Sequence, residues 1–456
     1  MKHNNYRPYL HILAALSLTL VVVLGMACQS NSPAETPGAD QELATSSPTL
    51  QPTLATIGFS PTLVAGVESS DEGESPGLTL WTVEEISQRS ANEDIRAFVE
   101  SSLRRFRRDN PNLNVEVVVK KASGKGGVLD FLRTAREVAP SILPDVAIIN
   151  AAELDQAFSE DLVRPLDDRL DRAIVQDLLS AARRMGTIDE ALVGLPLGMD
   201  MQHIIYNTQV FTETAPMLWT DIISQNTRYL FPAKGVNGQV NDATLAQYLS
   251  AGGRLIDEQG NPKIDDSVLR TVLTTYQKAR EAGLIDSTLA DISTLEELWP
   301  LYGERQAGLV QVSVRQYLLE RESLLNVDYG PIPVQTLEST PISIVHGWVL
   351  VLVTEDEARQ QAALTLIETF LATPTIVTWN RINQTIPTRD SAFQELAGDD
   401  PYWVFLRNQL NNAQPEPRVR DYELIGRLLQ QATEQVIRGE ATADQATSAV
   451  VDALTQ

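Results

Sequence analysis

The chain has 456 residues with 36 basic and 60 acidic side chains, a formal net charge of −24 at pH 7. Such an acidic chain is a poor nucleic-acid binder, because phosphate contacts need clustered Lys and Arg. Cys28 is the single cysteine, which excludes an intramolecular disulfide, so the folded part must be held by its core.

The N-terminus is typical of an export signal. Lys2 and Arg7 flank the start of an apolar run over 10–26, and the small residue Ala27 precedes Cys28. Leu24-Gly25-Met26-Ala27-Cys28 resembles a bacterial lipobox, with glycine where leucine is usual. We expect residues 1–27 to be a signal peptide and Cys28 to carry a lipid that anchors the protein outside the cytoplasm. Cleavage without lipidation, or an uncleaved membrane anchor, are the alternatives.

Residues 28–77 predict a tether between this anchor and the folded body. The segment after Cys28 is rich in Ser, Thr and Pro, contains no Lys or Arg, and has no helical or strand period. Such composition favours a flexible chain.

Regular structure is predicted from Leu78 onward. A strand at 78–81 is followed by a capping box at 90–93 and a helical stripe of apolar residues up to Phe106. A strand over 112–119, a helix over 128–138 and a buried strand over 146–149 come next. This β-α-β-α-β order predicts an α/β fold with a parallel sheet covered on both faces.

The second half continues the alternation. Strands are predicted at 204–206, 309–312 and 343–353, and helices around 358–370 and 422–436 and from 443 onward.

No catalytic or metal motif accompanies these elements. The body has two histidines, His203 and His346, and no cysteine, which excludes a Cys/His zinc site. From Leu78 onward, neither a P-loop nor a G-x-S-x-G elbow occurs. We therefore expect a protein without cofactor, metal or enzymatic activity, although the many carboxylates leave a secreted glycosidase or esterase as an alternative.

From Leu78 to the C-terminus the chain resembles family 1 extracellular solute-binding proteins, the group that contains maltose- and multiple-sugar-binding proteins of ABC importers. The resemblance consists of short motifs in the family's order. They are Leu78-Thr79-Leu80-Trp81, the segment 106–119, Pro144-Asp145-Val146, the segment 162–167, Gly194-Leu195-Pro196 with Tyr206-Asn207, Gly252-Gly253 with 260–264, Ala282-Gly283-Leu284-Ile285 and Ile386-Pro387-Thr388-Arg389.

The resemblance implies a two-lobed periplasmic-binding-protein fold of type II-like topology, with the solute in the cleft between the lobes. Lobe one would comprise 78–201 and 341–388, and lobe two 203–338 and 390–456. It also implies a monomer that captures a solute by hinge closure and delivers it to a membrane permease. The solute would be a mono- or oligosaccharide.

A sugar site needs flat aromatic surfaces together with amide and carboxylate groups. Trp81 follows the first strand, and Gly347 with Trp348 lie in a buried strand where the glycine would let a ligand approach the backbone. Each of these two tryptophans is a cleft candidate with a core position as the alternative. Asp200 lies where the chain would first cross from lobe one to lobe two, and Asn150 lies at a strand end. Both are candidate hydrogen-bonding groups for the solute. The alternative is that each caps local backbone.

Four further residues are weaker candidates. Trp299 and Tyr302 could form a stacking surface or pack in a helix, Ser313 ends a strand, and Trp379 could line the cleft or close a helix. By contrast, Trp219 and Trp403 are assigned to packing, and His346 is expected to be a half-buried structural histidine.

Three other functions stay open. The same fold could bind iron, a polyamine or an anion. The chain could be a secreted enzyme. It could also be a sensing or adhesive lipoprotein without a transporter.

Overall fold

The structure is a computed structural model that describes residues 77–236, 239–303 and 307–454. The predicted signal peptide, Cys28 and all of the predicted tether before Gly77 lie outside the described residues.

The β-strands are short and are numbered in chain order. They are β1 (Gly77–Val83), β2 (Asn114–Lys120), β3 (Val146–Asn150), β4 (Thr187–Ile188), β5 (Ala191–Leu192), β6 (Leu195–Pro196), β7 (Asp200–Asn207), β8 (Tyr229–Leu230), β9 (Leu309–Ser313), β10 (Val327–Gly330), β11 (Ile344–His346), β12 (Trp348–Leu352) and β13 (Gln414–Pro415).

The α-helices fill the intervals between these strands and the C-terminal region. They are α1 (Glu93–Asp109), α2 (Val128–Val138), α3 (Leu154–Ser159), α4 (Arg172–Gln176), α5 (Ser180–Gly186), α6 (Trp219–Ser224), α7 (Asp242–Ser250), α8 (Asp266–Glu281), α9 (Trp299–Gly303), α10 (Val314–Glu320), α11 (Glu357–Leu371), α12 (Thr373–Asn383), α13 (Asp390–Ala397), α14 (Pro401–Leu410), α15 (Tyr422–Arg438) and α16 (Ala443–Leu454).

The first sheet has the order β2-β1-β3-β12-β6. β1 pairs in parallel with β2 and β3, as the β-α-β-α-β order predicts, and β12 returns antiparallel between β3 and β6. Helix α1 supports this sheet through buried Phe98, Leu103 and Phe106, which confirms the predicted apolar stripe. Its N-cap is Asn92, whose side chain accepts from the amides of residues 94 and 95, and not the predicted Ser90.

The second sheet has the order β13-β11-β7-β9-β8, and β10 also pairs with β7. The eight-residue β7 is the connecting strand: it pairs with β11 at its first residues and with β9 and β10 further along. We name lobe one and lobe two after the first and second sheets. The mixed α/β architecture confirms the predicted fold class.

Two segments lie differently from the predicted lobe boundaries. The strand β11 belongs to the second sheet, so the chain returns to lobe one at Gly347 and not near residue 340. Helix α13 packs on α12 of lobe one, and Ser391 in its first turn hydrogen-bonds to Asp177 through both its amide and its hydroxyl. The last crossing to lobe two therefore follows α13.

Two arginines hold the segment after α14 to lobe one. Arg184 donates from Nη2 to the carbonyls of Leu410 (3.0 Å) and Ala413 (2.7 Å). Arg418 lies in the segment after α14 and donates to two carbonyls of lobe one, those of Met185 (2.6 Å) and Thr187 (2.7 Å). These charge-assisted bonds fix the chain connection that contains β13, the edge strand of the second sheet.

Among the described residues, no single helix has the length and apolar character needed to cross a membrane. The bent pair α11 and α12, with 56° between its halves, meets the criterion by length and composition alone.

Candidate functional site

Two adjoining cavities lie between the lobes. The first encloses about 560 Å³ and the second about 550 Å³. Asn150, Asp200 and His346 line both cavities, so these three polar side chains mark their junction. We call the two cavities together the cleft.

Both lobes contribute to the cleft because the ends of their strands meet there. In lobe one, β3 ends at Asn150, and β12 begins at Trp348 in register with it. In the second sheet, β7 begins at Asp200, paired with His346 at the end of β11. Strand ends and chain crossings are where open α/β sheets place their ligands.

Asp200 presents a carboxylate at the junction. Its Oδ1 accepts from the backbone amides of Met201 (2.9 Å) and Arg315 (3.3 Å). Burial raises the pKa of this carboxyl group to about 6. Asp200 therefore both caps local backbone and lines the cleft. The two alternatives that the sequence left open, a backbone cap and a cleft residue, are compatible at this position.

His346 lies beside Asp200 and is ion-paired. Its Nε2 is 2.7 Å from Oδ2 of Asp242, the first residue of α7, and its side chain is 44% exposed. The Asp242 carboxylate raises the pKa of this imidazole to about 9, so the ring is cationic at neutral pH.

Further charges surround the second cavity. Lys234 lines the lobe-two side of this cavity and contributes a positive charge. Burial raises the pKa of Glu153 to about 7 and also raises that of Glu416. Oε2 of Glu153 is buried and has no hydrogen-bond partner among the described residues. The cleft can thus offer hydrogen-bond donors and acceptors within a small space.

The aromatic surface of the cleft comes from lobe one. Trp348 is half-buried and lines the first cavity. Trp379 also lines it, but its side chain is 5% exposed and packs on Phe98 with 5.3 Å between ring centroids. Trp348 is therefore the ring with surface left for a ligand.

Three expected cleft residues lie elsewhere. Trp81 is 3% exposed and packs edge-on against Phe131 of α2, because β1 continues to Val83 and its side chain falls on the helix-covered face. Trp299 and Tyr302 pair with each other on α9 and pack against the core of lobe two. None of the three lines either cavity.

The remaining candidates reach the cleft with local duties of their own. Asn150 accepts from the amide of Ala152 (3.0 Å), and Ser313 caps α10 by accepting from Gln316 (3.0 Å). Gly347 lines the first cavity, but its lack of a side chain serves the backbone: a Cβ there would lie 2.4 Å from the carbonyl oxygen of Gly198. The glycine thus permits two chain crossings to touch.

The packing predictions for the other tryptophans are confirmed. Trp219 and Trp403 are 2% and 7% exposed. Trp219 donates from its indole nitrogen to Gln247 (3.0 Å) in the aromatic core of lobe two.

Sequence reasoning missed several charged cleft residues, whereas His346 is half-buried and bonded to Asp242, as expected. Glu84 and Glu85 follow the true end of β1, Arg315 lies in the first turn of α10, and Asp242 follows the helix cap Asn241. The cap at Asn241 was a usable signal, since an acidic residue in the first turn of a helix is favoured by the helix dipole. Among the described residues, no group of three or more His, Cys, Asp or Glu side chains is arranged to hold a metal ion.

Residues 103–403 match the family model described as bacterial extracellular solute-binding protein. The chain belongs to this family. The match spans more than half of the sequence and includes most strands of both sheets, with β1 and β13 outside it, and most of the cleft. No match was found among curated proteins.

Solved structures of solute-binding proteins share the fold at low sequence identity. The sugar-binding protein MalE from Xanthomonas citri is 18% identical, with a TM-score of 0.67 over 83% of this chain and 97% of that one. Maltose-bound MalE3 from T. maritima is 16% identical, with a TM-score of 0.65 over 83% and 99%. An ABC transporter solute-binding protein from Thermotoga lettingae, bound with α-D-tagatose, is 17% identical, with a TM-score of 0.63 over 83% and 99%.

Proposed function

We propose that this protein is the extracytoplasmic solute-binding component of an ABC importer and that its solute is a mono- or oligosaccharide. The observation that carries the proposal is the cleft, in which Trp348 of lobe one faces polar groups from the chain crossings and from lobe two. An aromatic ring beside convergent amide, carboxylate and imidazole groups matches the C–H faces and hydroxyls of a sugar.

The similar structures favour the same solute class. One of them is bound to maltose, and another, an ABC transporter solute-binding protein, is bound to α-D-tagatose. Capture without covalent chemistry fits this family, so we propose a binding role and no catalytic one.

Capture would proceed by hinge closure. The crossings near Met199 and Gly347 run side by side between the sheets, where the amide of Leu197 donates to the carbonyl of Trp348 (3.0 Å). Rotation about these crossings would bring lobe-two residues such as Lys234 towards Trp348. A solute that contacts both lobes would favour the closed state, and that state would dock on the permease.

Export and lipid attachment at Cys28 complete the proposal. A lipidated cysteine followed by the 28–77 tether would keep the binding domain near its permease in the cell membrane. The intact mass of the mature N-terminus tests this step: an N-terminal diacylglyceryl-cysteine supports it, and an unmodified Cys28 contradicts it.

Isothermal titration calorimetry of the full chain with maltose, maltotetraose and tagatose tests the saccharide claim. We expect saturable binding of at least one sugar. Trp348→Ala should weaken that binding roughly three- to tenfold, the loss of one aromatic contact. Trp299→Ala is the matched control, because Trp299 is also half-buried but lies outside the cleft, and its affinity should stay within about twofold of the wild type.

Two results would count against the proposal. Absence of binding to every saccharide would contradict the solute class. Turnover of labelled oligosaccharides by the purified chain would contradict a pure binding role.

A further inference from the structure

His346 lies at the junction of the two cavities, at a position where both lobes are within reach. It ends β11 in the second sheet, and two residues later Trp348 begins β12 in the first. Its side chain is 44% exposed, whereas His203, the other histidine among the described residues, is 1% exposed and bonded to Tyr402. His346 is therefore open to a molecule in the cleft.

The ring of His346 is held in one orientation. Its Nε2 bonds to Oδ2 of Asp242 at 2.7 Å, and the same oxygen accepts from Nε2 of Gln202 at 2.8 Å. Asp242 is itself fixed at the first turn of α7, where a carboxylate is stabilised by the helix N-terminus. One ring nitrogen is thus committed to a rigid partner.

The other nitrogen, Nδ1, has no hydrogen-bond partner among the described residues. A protonated imidazole carries hydrogens on both nitrogens, so Nδ1–H is a spare donor in the cleft. The charged groups around it are Asp242, Asp200 and Glu416, with Lys234, Arg315 and Glu153 further along the cavities. Since Asp242 raises the pKa of His346 to about 9, this donor persists through neutral pH.

We propose that His346, oriented by Asp242, donates a hydrogen bond from Nδ1 to an oxygen of the bound solute and thereby selects hydroxyl- or carboxylate-bearing solutes over amines. An ammonium group has no acceptor for this donor. The inference rests on the proposed function. It assigns to His346 the discrimination of saccharides from polyamines, because the carboxylates of the cleft would suit either class.

The test compares four forms of the full chain by calorimetry: wild type, His346→Leu, His346→Gln and Asp242→Asn. The probes are maltose, maltotetraose, galacturonate and spermidine. We expect the wild type to bind a saccharide and not spermidine. His346→Leu should weaken that binding about tenfold or more, the effect of losing a hydrogen bond from a charged donor. His346→Gln, which keeps an N–H donor, should recover part of the loss, and Asp242→Asn should weaken binding by releasing the ring.

A second measurement guards against misfolding of the variants. In the wild-type chain, the ¹⁵N resonance of His346 Nδ1 should shift when the saccharide is added, and that of His203 should not. Saccharide binding that His346→Leu leaves within about twofold, or an unmoved Nδ1 resonance, overturns the inference and leaves the proposed function standing. Binding of spermidine alone, or of neither the four probes nor tagatose, overturns both.

Discussion

Replacing Gly347 with alanine should separate the two chain crossings that flank the cleft. The new Cβ would lie 2.4 Å from the carbonyl oxygen of Gly198, whereas ordinary van der Waals contact begins at 3.4 Å. The difference, 3.4 − 2.4, requires a displacement of about 1 Å. The carbonyl cannot retreat freely, because the amides on either side of it, Leu197 and Met199, donate to Trp348 (3.0 Å) and Ile386 (2.8 Å).

Such overpacking of a fixed backbone costs about 1–3 kcal/mol of unfolding free energy. The displacement also moves Asp200 and Trp348 apart, since each follows one of the two crossings closely. We therefore expect Gly347→Ala to lower the urea midpoint measured by circular dichroism and to weaken saccharide binding measured by calorimetry.

Gly303→Ala is the matched control. Among the residues that the structure describes, no atom lies within 4 Å of a Cβ at Gly303, which ends the helix α9 away from the cleft, so its effect on stability should stay within about 0.5 kcal/mol. If Gly347→Ala matched this control in both midpoint and affinity, backbone contact at this glycine would not hold the two crossings in place.

Three further changes have defined outcomes. Asp145→Asn should destabilise the chain by about 2–4 kcal/mol in urea unfolding, because the buried carboxylate accepts two hydrogen bonds from the part-exposed Arg359. Glu100→Gln, which changes an exposed ion pair, is the control and should cost under about 0.5 kcal/mol. Equal effects of the two substitutions would refute the reasoning. Saccharide affinity should fall as the pH drops through about 6, where Asp200 gains its proton, and Asp200→Asn should flatten that calorimetric profile; an unchanged profile would exclude its carboxylate as an acceptor. The pKa of His346 is raised from 6.5 to about 9 on folding, so its contribution to stability should be complete below pH 6.5 and lost as the pH rises through 9; denaturation midpoints of Asp242→Asn should lack this alkaline decline.

Much of lobe one was predictable because its signals are local. The stripe that ends at Phe106 and the helix over 128–138 follow from a 3.6-residue period, and the structure has them at the predicted places. The cap of α1 was misplaced by two residues, since Ser90 and Asn92 are both good capping residues and only the backbone path selects between them.

The lobe boundaries were less predictable, because a strand's pattern does not name its partner. The apolar run that contains Ile344 and Trp348 reads as one strand. Its first part pairs in the second sheet and its second part in the first, with Gly347 between them. Hydrogen-bond pairing between distant segments decides this division.

The cleft residues were likewise predictable only in part. Asn150, Asp200 and Trp348 were identified from strand ends and crossings, and the structure places all three at the cleft. Trp81 satisfied the same rule but lies in the core, because β1 is longer than its apolar pattern suggested and the alternation of side chains turns the ring towards α2.

By itself the sequence determined the α/β alternation, the family and the lack of cysteine from Leu78 onward, because periodicity, motif order and residue counts are properties of the chain. Only the tertiary structure decided that His346 and Asp242, 104 positions apart, form an ion pair at the cleft junction. Contact across such a separation depends on how β11 and α7 pack, and packing leaves no local periodic pattern in the sequence.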